Sequence, residues 1–512
     1  MNSFINLGHG FLLALEPLNL ALAGLGCLAG TILGLLPGLG PINGVAILLP
    51  LAFAMQLPAS SALILLASVY MGCEYGGRIS AILLNVPGDA SAIMTTVDGY
   101  PMARAGNAGV ALSISAVASF TGSLVATLGI ALFAPLLASW ALSFGPAEYF
   151  ALIAFAIATL GGMLGNKPVK ALLGCFMGMS LSLIGIDSGT GVYRLTFGNL
   201  HLSDGIQFIV VVIGFFAISE ILVMLEKTHA GQGVVKVTGR AIFNAREFTS
   251  SFAAMLRSAL MGFGIGTLPG AGATVASAVA YATEKRLSDK AGTFGKGDVR
   301  GVAAPEAANN ASACGSFIPL LTLGIPGSGT TAVMLGALTL YNITPGPLLF
   351  QNQPDVVWSL IAALFIANFV LLVLNIPLIG LFTRMLSIPN AHLVPLIAAV
   401  SFVGVYGVHS DTFDLTLMVI FGITGYILRK LDFPMAPIIL GFVLGDMMEQ
   451  NLRRALAISN GDPRILFEGP VCITLWILSI AVLATPFVLR YVRRHAAPGG
   501  ADDESRKDPL NE

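Results

Sequence analysis

Apolar stretches of helical length, cut repeatedly by Pro-Gly, limit what this chain can fold into more than any other feature. Apolar runs include Leu18 to Leu36, Ile42 to Leu57, Val110 to Trp140, Tyr149 to Leu164, Ile206 to Leu225, Val356 to Phe382 and Val471 to Leu489. Hydrocarbon offers no partner to a free backbone N–H or C=O, so such a run crosses it only as a helix that bonds to itself. At ~20 residues per span, the apolar content fits about 12 spans. Others, such as Ala62 to Val69 and Phe317 to Ile325, are too short to cross alone. Short apolar pieces ended by Pro-Gly read as broken or re-entrant helices lining a protected cavity.

Composition agrees. Of 512 residues, 10% are charged and 55% hydrophobic, and the mean hydropathy is +0.84, whereas soluble domains carry roughly 25% charge. The net charge of −1 gives no reason to expect a nucleic acid partner. The five cysteines (Cys27, Cys73, Cys175, Cys314, Cys472) stand singly in apolar segments, without a CxxC pair, and read as small buried hydrophobes. The six histidines show no ligand spacing, so no metal and no cofactor is expected. No Lys or Arg precedes Arg78, which argues against a cleaved signal and for a retained first helix. Arg490, Arg493 and Arg494 follow the last apolar run and place the C-terminus in the cytoplasm. The tail beyond them is rich in Pro, Gly, Asp and Glu and is expected to be disordered.

The chain also repeats itself. Gly34-Leu35-Leu36-Pro37-Gly38-Leu39-Gly40 returns as Gly266-Thr267-Leu268-Pro269-Gly270-Ala271-Gly272. Downstream, Ile82-Leu83-Leu84-Asn85-Val86-Pro87-Gly88 returns as Leu321-Thr322-Leu323-Gly324-Ile325-Pro326-Gly327, the second gap being about seven residues longer. Basic residues flank the second Leu-Pro-Gly element on both sides: Lys227, Lys236, Arg240 and Arg246 before it, and Lys285, Arg286, Lys290, Lys296 and Arg300 after it. Its ends therefore read as cytoplasmic, while the ends of the first element, free of basic residues, read as external. The same motif on opposite faces is an inverted repeat; a pair of ordinary Pro-kinked helices is the alternative. The expected fold is an all-α polytopic membrane protein of about 12 transmembrane helices, with two inverted repeats and broken or re-entrant helical hairpins. Residues 1–230 would form the first repeat with its connecting helices, 231–495 the second, and 496–512 the cytoplasmic tail.

Each break restarts a helix whose first N–H groups are unpaired and lie at the positive end of its dipole. Such ends brought together make an anion site without a buried Lys or Arg. The candidate substrate-binding residues are Pro37, Gly38, Gly40 and Asn43 at the first break, and Asn85, Pro87, Gly88 and Ser91 at the second. Pro269, Gly270, Gly272 and Thr274 follow at the third, and Pro326, Gly327, Ser328, Thr330 and Thr331 at the fourth. For each residue taken singly, close helix packing is an equal alternative. Ionisable residues in apolar surroundings are further candidates: Glu74, Arg78, Asp89, Asp98, Glu148 and Glu306. Asp89 reads first as a helix cap and second as a proton or cation carrier. Asp98 and Arg104 read as parts of an interfacial loop. No catalytic residue is expected. Gly324-Ile325-Pro326-Gly327-Ser328-Gly329-Thr330-Thr331 has the glycines of a nucleotide loop but Thr330 where Lys is required. Gly327-Ser328-Gly329 lacks a His base in any comparable Gly-rich element.

The run Gly301-Val302-Ala303-Ala304-Pro305-Glu306-Ala307-Ala308-Asn309-Asn310, followed by Phe317-Ile318-Pro319-Leu320-Leu321-Thr322-Leu323-Gly324-Ile325-Pro326-Gly327, resembles the large membrane subunit of tripartite tricarboxylate transporters, the TctA family. So do Ala81 to Gly88, Asp98-Gly99-Tyr100-Pro101 and both Leu-Pro-Gly elements, and the likeness covers nearly the whole chain except the tail. The resemblance implies a bacterial inner-membrane protein working with a small four-helix membrane subunit and a periplasmic solute-binding protein. It implies uptake of citrate or other di- and tricarboxylates by symport, driven by a gradient of H+ or Na+. Many members carry Thr or another small polar residue after the second Pro-Gly, so Asp89 looks like an acidic variant, which puts direct carboxylate contact by its side chain in doubt. An intramembrane enzyme and an anchoring scaffold are the competing functions.

Overall fold

The structure, a computed structural model, describes residues 2–163, 168–187, 189–226, 240–270, 272–378, 380–382 and 390–495. The expected repeat boundary at 230 and 231, the flanking Lys227 and Lys236, and the tail 496–512 lie outside the described residues.

The first part of the chain forms α1 (Asn2–Ala14), α2 (Pro17–Leu35), α3 (Gly40–Ala54), α4 (Ala59–Leu84), α5 (Ile93–Met102), α6 (Ala108–Ala141), α7 (Pro146–Met163), α8 (Pro168–Ser182) and α9 (Phe208–Glu226). Pro opens α2, α7 and α8, where its fixed φ suits a helix start and its missing N–H is not needed. The second part forms α10 (Ala245–Gly266), α11 (Gly272–Ser288), α12 (Val299–Gly315), α13 (Phe317–Leu323) and α14 (Gly329–Leu340). α15 (Pro354–Asn375), α16 (Asn390–His409), α17 (Thr412–Lys430), α18 (Ala436–Ile458) and α19 (Pro470–His495) complete it. A two-residue antiparallel pair, β1 (Gly185–Ile186) with β2 (Tyr193–Arg194), lies in the connection from α8 to α9.

Five segments are long and apolar enough to cross a bilayer: Pro17–Leu35, Ala90–Ala141, Phe208–Glu226, Pro354–Asn375 and Thr412–Lys430. Shorter apolar helices supply the rest, among them Gly40–Ala54, Pro146–Gly161, Pro168–Ser182 and Gly329–Leu340. The protein is a multi-pass, all-α membrane protein. Two helices that are not among these apolar segments are the most completely buried. Every residue of α4 from Ser61 to Leu83 is buried, as is every residue of α12 from Gly301 to Gly315. Surrounded by protein and not by lipid, they carry Glu74, Arg78, Glu306, Asn309 and Asn310 on backbones that need not be apolar all round.

The repeated motifs fold alike. α2 lies so close to α4 that a Cβ on Gly30 would stand 2.3 Å from the Val69 carbonyl oxygen; α10 lies equally close to α12, with Gly262 at 2.3 Å from that of Ala308. Small residues permit such backbone contact between helices in a membrane. α4 ends on Asn85 (φ 58°) and α13 on Gly324 (φ 70°), matching positions of the repeat, both in the left-handed conformation that stops a helix. The halves then interlock, since α6 packs on α12 of the second half and α15 packs on α4 of the first.

Candidate transport site

The same backbone hydrogen bond joins the two breaks of each half. Gly38 donates its N–H to the Gly88 carbonyl at 3.2 Å, and Gly270 donates to Gly327 at 3.0 Å. Across the halves, α3 packs on α14, with Ile42 against Gly329, and α11 packs on the turn Ala90–Ala92. Each second break thus touches both first breaks, and the four form a closed ring. The ring flanks the contact of α4 with α12, where the Cys314 thiol lies 3.6 Å from the Met71 sulfur.

At the first break, Pro37 and Gly38 are exposed while Gly40 and Asn43 are buried. Asn43 donates its amide to the Gly38 carbonyl at 3.0 Å, and its Oδ1 is buried without a partner. Glu220 of α9, ion-paired with Arg429 of α17, stands against Gly38, so a cation lies one residue behind this break. At the second break Asn85 is exposed, and its left-handed backbone accounts for it better than its amide does. Pro87 is half-buried, Gly88 and Ser91 are buried, and the Ser91 hydroxyl lies 2.8 and 2.7 Å from the two Asp89 oxygens and 3.3 Å from Glu74.

At the third break Pro269 is buried and its carbonyl accepts from Thr159 of α7; Gly270 and Gly272 are half-buried, and Thr274 is exposed on α11. At the fourth, Pro326, Gly327, Thr330 and Thr331 are buried. Ser328 caps α14: its Oγ accepts from the Thr331 N–H at 3.2 Å, and its own N–H donates to Thr331 Oγ1 at 2.8 Å. This reciprocal box occupies two of the donors expected to face an anion. The Tyr70 hydroxyl approaches Ser328 at 3.4 Å and Ser316 at 3.5 Å. Asn309, the repeat counterpart of Tyr70, faces Glu74 at the second break.

The other ionisable candidates fall into distinct roles. Arg78 donates to the Leu112 carbonyl (2.8 Å), Ser115 (2.6 Å) and Asn375 (3.0 Å), tying α4 to α6 and α15. Glu306 accepts from Thr95 and from Ser119. Glu148 accepts the Gly145 N–H at 2.9 Å at the start of α7, a capping contact. The reading of Asp98 as part of an interfacial loop is corrected: it lies within α5, fully buried. One of its oxygens accepts the N–H groups of Gly295, Gly297 and Asp298 at 2.8, 2.9 and 2.8 Å, and the other accepts from Tyr281 at 2.9 Å. A carboxylate so fully bonded can be buried, which its polar flanks in sequence do not reveal. Arg104 is exposed, in the wide turn Ala103–Asn107.

Tyr70, Thr159, Ser316, Glu220 and Arg429 belong to this neighbourhood but carried no motif, and Asn309 stood in a motif without being named as a site residue. Only the repeat offered a signal, since it pairs Tyr70 with Asn309 as polar residues in otherwise apolar surroundings.

Residues 20–440 match the Tripartite tricarboxylate transporter TctA family. The chain belongs to that family. It is 41% identical over 481 residues to an uncharacterised 52.8 kDa protein from the TAR-I ttuC' 3' region of Agrobacterium vitis, covering 94% of this chain and 95% of that protein. A second Agrobacterium vitis protein, from the TAR-II ttuC' 3' region, is 45% identical over 211 residues, covering 41% of this chain and 87% of its own length. The TctA match spans all four breaks and both α4 and α12, so this chain is a tricarboxylate transporter subunit.

Proposed function

We propose that this chain is the translocating subunit of a binding-protein-dependent tripartite transporter, taking up citrate or another di- or tricarboxylate across the bacterial inner membrane at the expense of an ion gradient. Its partners in this reading are a small four-helix membrane subunit and a periplasmic solute-binding protein. The observation that carries it is the ring of four breaks, two pairs joined by matching Gly–Gly hydrogen bonds. Helix starts at Gly40, Gly272 and Gly329, with the turn at Ala90, are gathered there by a fold that places no Lys or Arg among the break residues themselves. Converging helix N-termini favour an anion, and a cavity between inverted repeats can open to either side in turn. Residues 1–230 and 231–495 are the two inverted repeats of this reading, with the tail 496–512 in the cytoplasm.

The test is reconstitution of this chain with the two partner subunits in liposomes, followed by uptake of radiolabelled citrate. Uptake that requires the binding protein and collapses with an ionophore supports translocation. Turnover of citrate without a gradient would instead point to an intramembrane enzyme, and neither outcome to a scaffold.

A further inference from the structure

Three buried charges and one half-buried carboxylate lie along α4, the second break and α12: Glu74, Arg78 and Glu306 are buried, and Asp89 is half-buried. Arg78 spends its hydrogen bonds on Leu112, Ser115 and Asn375, and among the described residues neither Glu74 nor Asp89 has an ion-pair partner. Both approach one hydroxyl, Ser91 Oγ, which lies 3.3 Å from Glu74 Oε2 and 2.7 Å from Asp89 Oδ2. A hydroxyl has one hydrogen to donate. With both carboxyls ionised it satisfies one and repels the other, so a second hydrogen bond in this chain requires a carboxyl that carries its own proton. Two like charges in such a site do not ionise together.

A second observation is independent of the acids. Asn309, 1% exposed, lies beside Glu74, and its Oδ1 is buried with no partner. An orphaned carbonyl oxygen accepts and cannot donate, so it awaits a donor and does not suit the carboxylate of a substrate.

The remaining titratable groups nearby are engaged elsewhere. On α4 the Tyr70 hydroxyl is beside Ser316 and Ser328, and Cys73 is a buried thiol. On α5 Asp98 holds the loop at Gly295 and Gly297, and on α11 Tyr281 binds Asp98 while Glu284 binds Arg257. α3 carries no ionisable side chain. A cluster of three or more His, Cys, Asp or Glu side chains suited to a metal ion is absent among the described residues.

We propose that Glu74, Ser91 and Asp89 form the proton-carrying site of this transporter, with Asn309 orienting Glu74. This rests on the transport function proposed above and names its coupling cation. On loading, one O–H bond forms on a carboxyl of the pair and one negative charge disappears; on release to the other side the bond breaks and the charge returns. In the second repeat Ser328 stands where Asp89 stands in the first, so proton carriage belongs to one half alone.

The test uses the full chain in sodium-free liposomes, read by infrared difference spectroscopy while pH is varied. A carboxylic acid C=O band that titrates is expected, lost in Glu74→Gln or Asp89→Asn and shifted in Ser91→Ala. Absence of such a band, or its persistence in both acid variants, overturns the proposal. So does its loss on adding Na+ at constant pH, which would assign the pair to sodium. With the partner subunits present, Glu74→Gln should lose citrate uptake driven by an imposed pH gradient yet keep citrate exchange between the two sides. If the wild type moves no citrate while the band behaves as expected, the transport reading fails and the protonation site stands.

Discussion

Ser328 and Asp89 occupy one position of the repeat and solve the same local problem differently. Ser328 accepts a helix N–H with its oxygen, and its own hydrogen has Thr331 Oγ1 at 3.1 Å and Tyr70 at 3.4 Å within reach. Replacing it by Ala removes a cap worth about 1 kcal/mol. If the hydroxyl also contacts a charged substrate, losing it costs ~1.5–3 kcal/mol of binding, or roughly tenfold to a hundredfold in apparent affinity. Citrate uptake kinetics of Ser328→Ala against Ser139→Ala, exposed on α6, measure this; equal kinetics would exclude Ser328 from the site. The break glycines divide into two groups. A Cβ on Gly88 would stand 2.3 Å from the Gly34 carbonyl oxygen and 2.6 Å from Gly77 Cα, backbone on both sides. Gly88→Ala is therefore expected to destabilise the protein by ~1–3 kcal/mol, seen as a lower melting temperature of the purified chain. At Gly272 nothing lies within 4 Å, so a side chain there meets open space and only the backbone strain of φ +68°.

Among the elements, α4 and α12 show why hydropathy alone misplaces the centre of such a protein. Val110 to Trp140 and Val356 to Phe382 announce themselves because their residues are almost all apolar, whereas Gly301 to Gly315 hides because it carries Pro305, Glu306, Asn309, Asn310 and Ser312 among its small residues. The four breaks were legible because a Pro-Gly pair changes the backbone whatever surrounds it. The residues that face them from other helices, Tyr70 and Ser316 above all, were not, since nothing local distinguishes a polar side chain in a packed helix from one beside a cavity. Asp98 was misread for the opposite reason, its partners being backbone N–H groups nearly 200 residues away.

In the connection from α8 to α9, Asp187 binds the small β-pair to α18 by accepting from the Gly189 N–H at 2.8 Å, Thr190 at 2.9 Å and Arg453 at 2.9 Å. These contacts, the Gly189 N–H first, pull its carboxyl down to about 2. A depressed folded value means that the stability it confers is complete above the unfolded value near 4 and fades as pH falls toward 2. Thermal unfolding measured across that window should show an acid-dependent component that Asp187→Asn removes. Asp98→Ala frees three loop N–H groups at once, and hydrogen exchange at Gly295, Gly297 and Asp298 is expected to accelerate.

At the scale of the whole molecule, two interlocked halves with matching breaks make a topological prediction. Single cysteines at Ser60 and Lys290, in a variant whose five native cysteines are replaced, should react with an impermeant reagent from opposite sides of the membrane. Reaction from one side would remove the inversion and leave the repeat itself in place. The Gly38–Gly88 and Gly270–Gly327 hydrogen bonds bear on how such a molecule could move. Each joins two loops by a backbone bond, while beside Gly329 the two pairs meet through side chains, Ile42 against Gly329 and Tyr70 at 3.4 Å from Ser328. In the proposed transport reading, parting the two pairs from each other is therefore expected to cost less than opening either pair.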